Sequence, residues 1–224
     1  MTQQNFHNGF TLVEMSIVLV IIALLVGGLL TPLSTQKELE KRADNAALLE
    51  QAREALIGYA LINTRLPCPD TTGNGLEDAP CPNNPGPPTG RLPWITLDID
   101  SEWDAWGEPH QVNYVVNGAF TASITLNSAG AGVNAIDIHT TTGSCNTANN
   151  LVATNVPALI WSTAKTDYTL QAPARVDEQD NANGDHCYVY RDYSTILNQE
   201  FDDQLVWLSD NILFNRMVSA GVLP

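Results

Sequence analysis

A single carboxylate lies inside an otherwise uncharged, apolar segment near the start of the chain. The segment runs from Phe10 to Thr31 over 22 residues, and its only charge is Glu14. An α-helix of this length spans about 33 Å at about 1.5 Å per residue, enough for the ~30 Å hydrocarbon core of a bilayer. A carboxylate is costly to bury in such a span. Glu14 therefore requires either access to the lipid headgroups or a cationic partner.

The four cysteines form an even set without the Cys-x-x-Cys spacing of zinc or redox sites: Cys68, Cys81, Cys145 and Cys187. Cys68 and Cys81 flank a loop rich in Pro, Gly and Asn, where a short disulfide would hold the chain. Cys145 and Cys187 are then left to pair with each other, although the spacing by itself leaves the connectivity open. The apolar segment would place this region outside the cytoplasm, where thiols oxidise, and this favours two disulfides.

Residues with side-chain oxygens alternate with other residues in part of the loop at residues 67–93. Side-chain oxygens of four residues and one backbone carbonyl have a spacing that resembles EF-hand-like calcium loops, and such hard oxygen ligands suit Ca²⁺. The predicted ligands are Asp70, Thr72, Asn74, Asp78 and the carbonyl of Leu76. The alternative is an Asx-rich turn that binds no ion.

Other acidic residues are interpreted as solvated. These are the segment at residues 177–185 and the turn residues Asp98, Asp100 and Asp104. Asp202 and Asp203 are adjacent, and neighbouring residues of a strand point to opposite faces, so we do not expect them to act together. The formal net charge of −15 argues against nucleic acid as a partner.

No catalytic motif is apparent, since the four histidines lack metal-ligand spacing and no nucleophile elbow or phosphate loop is present. We therefore expect the chain not to be an enzyme.

Local patterns predict the elements that would hold these residues. Pro32 is expected to kink or interrupt the first helix. Beyond it, residues 33–63 predict a second helical stretch with an apolar stripe at helical spacing: Leu49, Ala52, Leu56, Tyr59 and Ala60. Strands are predicted at 111–116, 120–126, 135–139, 186–190 and 204–208, the first two joined by a hairpin at Asn117 and Gly118. Short helices are predicted at 156–165 and 210–220, the latter with Ser209 as N-cap and Gly221 at its end.

Gly9, Phe10 and Glu14, followed by the long apolar run, resemble the cleavage and methylation signature of type IV pilins and type II secretion pseudopilins. The resemblance implies that a prepilin peptidase cuts between Gly9 and Phe10 and that the new amine of Phe10 is methylated. It also implies that Glu14 pairs with the N-terminal ammonium of an adjacent subunit, which supplies the missing cation.

The fold implied is α+β, with a long N-terminal helix, transmembrane in its first half and amphipathic in its second, packed on a small antiparallel sheet head. The expected organisation is a leader at 1–9, a transmembrane helix at 10–31, its amphipathic continuation at 32–64 and a periplasmic or extracellular head at 65–224.

The function implied is that of a structural subunit, a minor pilin or pseudopilin, of a type IV pilus or type II secretion filament. Its expected partners are other pilin-like subunits, the prepilin peptidase, an inner-membrane assembly platform and the lipid bilayer. The expected location is the inner membrane with a periplasmic head, and the filament after assembly. An alternative is an adhesive or cargo-binding head displayed on such a filament. A membrane-anchored periplasmic enzyme is a third.

Overall fold

The computed structural model describes residues 10–81, 86–128, 135–142, 150–166 and 175–223, without the side chains of residues 28–33. It contains two compact units, Met1–Lys41 and Arg42–Pro224. The first unit contributes the opening turns of a helix, and the second contains the sheets and the buried core.

Helix α1 runs from Leu12 to Asn63 over 52 residues. Pro32 lies within it, so the predicted interruption of the helix at this position is wrong. A proline removes one N–H from the helical hydrogen-bond ladder, and the helix continues past this position. In the first unit the large apolar side chains between Phe10 and Val26 are exposed.

Four antiparallel strands form the main sheet of the second unit, in the order β1-β2-β5-β7. They are β1 (Thr89–Arg91), β2 (Asn113–Val116), β5 (Ala158–Ser162) and β7 (Gln204–Leu208). A smaller sheet has the order β4-β3-β6, from β3 (Asp137–His139), β4 (Leu151–Ala153) and β6 (Cys187–Val189). In it β3 pairs antiparallel with β4 and parallel with β6. Two short helices complete the unit, α2 (Val176–Ala182) and α3 (Asp210–Ser219).

The predicted stripe on α1 forms one side of the larger core. Leu49, Ala52, Leu56 and Ala60 are fully buried, and Tyr59 packs against them from the edge. This core also contains side chains of the main sheet and of α3: Tyr114, Val116, Ile160, Leu208, Leu213 and Met217. The second half of the helix therefore packs on an antiparallel sheet, and the α+β, pilin-like architecture is confirmed.

Strand β5 separates two cores and is buried at all five positions. Ala158 and Ile160 belong to the core that contains α1, whereas Leu159 and Trp161 belong to a second core with Val115, Ile138, Tyr188 and Phe201. The prediction of a helix at 156–165 is wrong, because a short continuous apolar run does not distinguish a strand buried on both faces from a buried helix.

The predicted hairpin at Asn117 and Gly118 is also wrong. A 3₁₀ turn spans Gly118–Phe120, and the Asn117 side chain caps it by accepting the Ala119 N–H at 3.0 Å. The partners of β2 are β1 and β5 instead. Strands β2, β3, β6 and β7 lie where they were predicted, and α3 begins after Ser209, with Gly221 at φ +71° beyond its end.

The helix–sheet core generates a stability prediction. Leu56→Ala removes a side chain that is 0% exposed, so it should lower the free energy of unfolding by about 2–5 kcal/mol. Ile62→Ala is the matched control, since Ile62 lies on the same helix and is 83% exposed; its effect should stay within about 0.5 kcal/mol. Urea unfolding of the detergent-solubilised chain measures both, and equal effects of the two variants would contradict this assignment of the core.

Candidate functional site

The start of α1 forms a capping box. Thr11 precedes the helix, and its backbone N–H and hydroxyl both donate to Glu14 Oε2 at 2.8 Å. The Glu14 N–H donates in return to Thr11 Oγ1 at 3.2 Å. These bonds satisfy donors that the first turn of a helix otherwise leaves unpaired, and the helix dipole favours a carboxylate at this end. The predicted assembly residue Glu14 is therefore held in place by its own chain.

The predicted processing site lies directly before this box. Gly9 is outside the described residues, while Phe10 is described and is 80% exposed.

The predicted transmembrane helix at 10–31 includes residues 28–31, whose side chains are not described. Among the described residues, no helix has both the length and the apolar character needed to cross a membrane.

The loop after α1 is closed by the predicted disulfide. Cys68 is bonded to Cys81, which confirms this pair. Cys187 is disulfide-bonded as well, while Cys145 lies outside the described residues.

The residues predicted to bind calcium form one hydrogen-bonded turn. Asp70 is buried, and its Oδ1 accepts the N–H groups of Thr72, Gly73 and Asn74, while Oδ2 accepts that of Gly75 at 2.7 Å. Asp78 Oδ2 accepts the N–H groups of Thr71 and Thr72, at 2.7 and 2.9 Å. Asn74 Oδ1 accepts the Leu76 N–H. The loop is held closed by its own backbone donors, and calcium binding to it stays a prediction.

Glu77 anchors this loop to α1, a role that the sequence did not indicate. Its carboxylate accepts two bonds from the Arg65 guanidinium, at 2.8 and 2.7 Å, and one from the Tyr59 hydroxyl at 2.7 Å. The Cys68 N–H donates a fourth bond at 3.1 Å. Burial by itself raises the pKa of Glu77, but these hydrogen bonds and the charge of Arg65 outweigh burial and lower the pKa to about 2. The loop is therefore tied to the helix by an ionised carboxylate.

Three carboxylates converge in the interior of the second unit. Glu178 comes from α2, and Asp202 and Asp203 precede β7; each offers an oxygen within 4.8 Å of the other two. All three are buried. The prediction that residues 177–185 form a solvated loop is wrong, because most of the segment is helix α2. The expectation that Asp202 and Asp203 point to opposite faces of one strand is wrong too, because both residues lie outside the regular strand and their carboxylates approach each other.

A hydrogen bond connects Glu178 and Asp202 of this carboxylate cluster, and a neighbouring hydroxyl bonds to Asp202. The Asp202 N–H donates to Glu178 Oε1 at 2.7 Å, and the Thr166 hydroxyl donates to Asp202 Oδ2 at 2.8 Å. Arg175 lies 3.2 Å from Glu178 Oε2 and 3.9 Å from Asp202 Oδ1. Such oxygen ligands suit a hard cation. In this structure, however, the Arg175 guanidinium already provides the positive charge beside these carboxylates.

Burial decides the protonation of the cluster. It raises the pKa of Glu178 to about 7, and the negative charge of Asp202 adds to this effect, although the Asp202 N–H and Arg175 oppose it. Burial also raises the pKa of Asp202. The Glu178 carboxyl group therefore keeps its proton to a higher pH than an exposed glutamate would.

Asp104 is a further buried acid that the sequence did not reveal. Asp98 and Asp100 are exposed, as expected for turn residues, but Asp104 is buried and accepts the Ser162 hydroxyl at 2.5 Å. Burial raises the pKa of its carboxyl group. The bond joins the turn before β2 to the end of β5, a contact between residues 58 positions apart in the chain.

Comparison with known proteins finds a match in the N-terminal segment. Residues 5–30 match the family described as "Prokaryotic N-terminal methylation motif". No curated protein and no solved structure matches the chain. The chain thus carries the N-terminal methylation motif typical of type IV pilins and pseudopilins, and the matched residues include Gly9, Phe10 and Glu14.

The carboxylate cluster generates a pH prediction. As pH rises from about 4.5 to about 7, the unfolded chain releases the Glu178 proton before the folded chain does, so folding stability should fall over this window. Glu178→Gln removes this titration and should make the decrease in melting temperature between pH 5 and pH 8 smaller. Glu54→Gln, at a half-exposed position on α1, should leave the decrease unchanged. Circular dichroism at the two pH values measures it, and an unchanged decrease in the Glu178→Gln variant would contradict the assignment.

Proposed function

We propose that this chain is a structural subunit, a minor pilin or pseudopilin, of a type IV pilus or type II secretion filament. A prepilin peptidase cleaves it after Gly9, and the amine of Phe10 is then methylated. One observation carries the proposal: the matched methylation motif opens a helix that is exposed and apolar in its first turns but buried in the head core in its last turns.

The exposed apolar half of α1 requires a partner. Large apolar side chains such as Leu12, Leu19 and Leu24 are each at least 65% exposed. Exposing apolar area to water costs about 25 cal/mol per Å², and either lipid or the helices of neighbouring subunits remove this cost. The chain therefore resides in the inner membrane with its head in the periplasm, and enters the filament from there through an assembly platform.

The capping box leaves one oxygen of Glu14 available to a cationic partner. Both donors of Thr11 bond to Oε2, and Oε1 accepts no hydrogen bond from the described residues. Cleavage after Gly9 creates an ammonium group on Phe10, and in a filament the ammonium of one subunit meets the Glu14 carboxylate of the next. Opposite charges compensate each other in apolar surroundings, where either one alone would be penalised.

Processing is tested by mass spectrometry of the protein from cells with an active prepilin peptidase. The mature chain should lack residues 1–9 and carry a methyl group on the amine of Phe10. Cells without the peptidase serve as the control and should contain the uncleaved chain. An intact Met1 in peptidase-positive cells would overturn the proposal.

Assembly is tested by Glu14→Ala. The variant should still insert and be processed, but filaments should fall by roughly tenfold or more, because an ammonium left unpaired in an apolar environment costs about 3–5 kcal/mol. Glu40→Ala, at an exposed position on the same helix, is the matched control and should assemble normally. Electron microscopy counts the filaments.

Normal filaments with lost surface attachment in a deletion strain would instead favour the adhesive alternative.

A further inference from the structure

A polar cleft opens on the head, on the face of the main sheet that carries the second core. Its volume is about 410 Å³, within the range of about 300–1,000 Å³ typical of small-molecule sites. Its walls come from β1, β2 and the end of β5, from the turn at Asp70 and from the end of α2. The cleft lies within the second unit.

Strand register places three chemically different side chains in one row along this cleft. Arg91 of β1 is directly opposite Asn113 of β2, and Asn113 is directly opposite Trp161 of β5. Directly opposed residues of antiparallel strands point to the same face, with Cβ atoms about 4.5–5.5 Å apart. A guanidinium, a carboxamide and an indole therefore adjoin one another, and all three residues line the cleft.

Arg91 differs from every other arginine of the chain. The other six contact a carboxylate or a backbone carbonyl: Arg42, Arg53, Arg65, Arg175, Arg191 and Arg216. Arg91 has no ion pair and no side-chain hydrogen bond with the described residues. Its guanidinium lies against Gly73, where a side chain would collide with it. The cleft thus presents a positioned cation on a protein with a net charge of −15.

Neutral hydrogen-bonding groups surround this cation. They are the side chains of Thr71, Thr89, Thr163, Gln111 and Asn113. The side chains of Gln111 and Thr163 make no hydrogen bonds with the described residues. The Asp70 carboxylate also lines the cleft, but its oxygens accept N–H groups of the turn. The hydroxyl groups of Thr71 and Thr89 and the carboxamide of Asn113 already donate one hydrogen bond each. Their remaining hydrogen-bonding capacity, together with the side chains of Gln111 and Thr163, matches vicinal hydroxyl groups, each of which both donates and accepts.

We propose that this cleft binds a small saccharide that bears one carboxylate, such as a uronic acid unit. Arg91 pairs with the carboxylate in a bidentate geometry, Asn113 and Gln111 bond to ring hydroxyls, and the Trp161 edge forms the apolar floor. One guanidinium suits a single negative charge and disfavours polyphosphates. The polar walls disfavour an apolar ligand. The proposal concerns the head and does not depend on whether the chain assembles into a filament.

Isothermal titration calorimetry of the full chain tests this proposal with three probes: D-glucuronate, D-glucose and acetate. A polyoxyethylene detergent keeps the chain in solution without offering sugar headgroups that would compete. Glucuronate should bind at least roughly tenfold more tightly than either other probe, because it alone satisfies both the guanidinium and the neutral groups. Absence of glucuronate binding, or acetate binding of equal strength, would overturn the proposal.

Variants locate the binding. Arg91→Gln should weaken glucuronate binding at least roughly tenfold, whereas Arg91→Lys, which keeps the charge but not the fork geometry, should fall in between. Arg216→Gln is the matched control, because it removes one positive charge from an exposed position on α3. Melting temperatures of all variants identify any loss of folding. Glucuronate binding that survives Arg91→Gln in a folded protein would place the ligand elsewhere and refute the assignment.

Discussion

The structure depends on how one helix divides its apolar side chains between two environments. From Leu49 to Ala60 the apolar face of α1 is buried against the main sheet and α3, and the head cannot form its larger core without it. From Leu12 to Val26 the same helix exposes apolar side chains. Removing these exposed side chains from water would be favourable in proportion to their apolar area.

The carboxyl groups of this chain differ in bonding and protonation because their surroundings differ. Glu14 caps a helix, and Glu77 is ionised because it bonds to Arg65 and Tyr59. Glu178 keeps its proton to a higher pH than an exposed glutamate because it is buried beside Asp202. Asp70 uses its oxygens to hold a turn. With 25 acidic and 10 basic residues, the chain has too few cations to pair every acid. Backbone N–H groups and retained protons therefore stabilise several of them.

The described residues of the second unit form two cores, one on each face of β5. The two faces of β5 contribute to different cores, one with α1 and one with the smaller sheet. The first core fastens the head to α1, and the second supports the face on which Arg91, Asn113 and Trp161 form a row. The residues proposed to bind a ligand therefore lie on the face of the main sheet opposite to the one that packs against α1.

Local patterns in the sequence determined the methylation motif, the apolar stripe of α1, β7, α3 and the Cys68–Cys81 disulfide, because each depends on residues close together in the chain. The other structural features depend on contacts that form only in the tertiary structure. The run at Ala158–Ser162 becomes a strand only because two cores cover its faces, and Glu178 meets Asp202 across 24 positions. The row at Arg91 depends on the register of three strands. Such contacts arise from chain segments that meet only after folding, and no local periodicity encodes them.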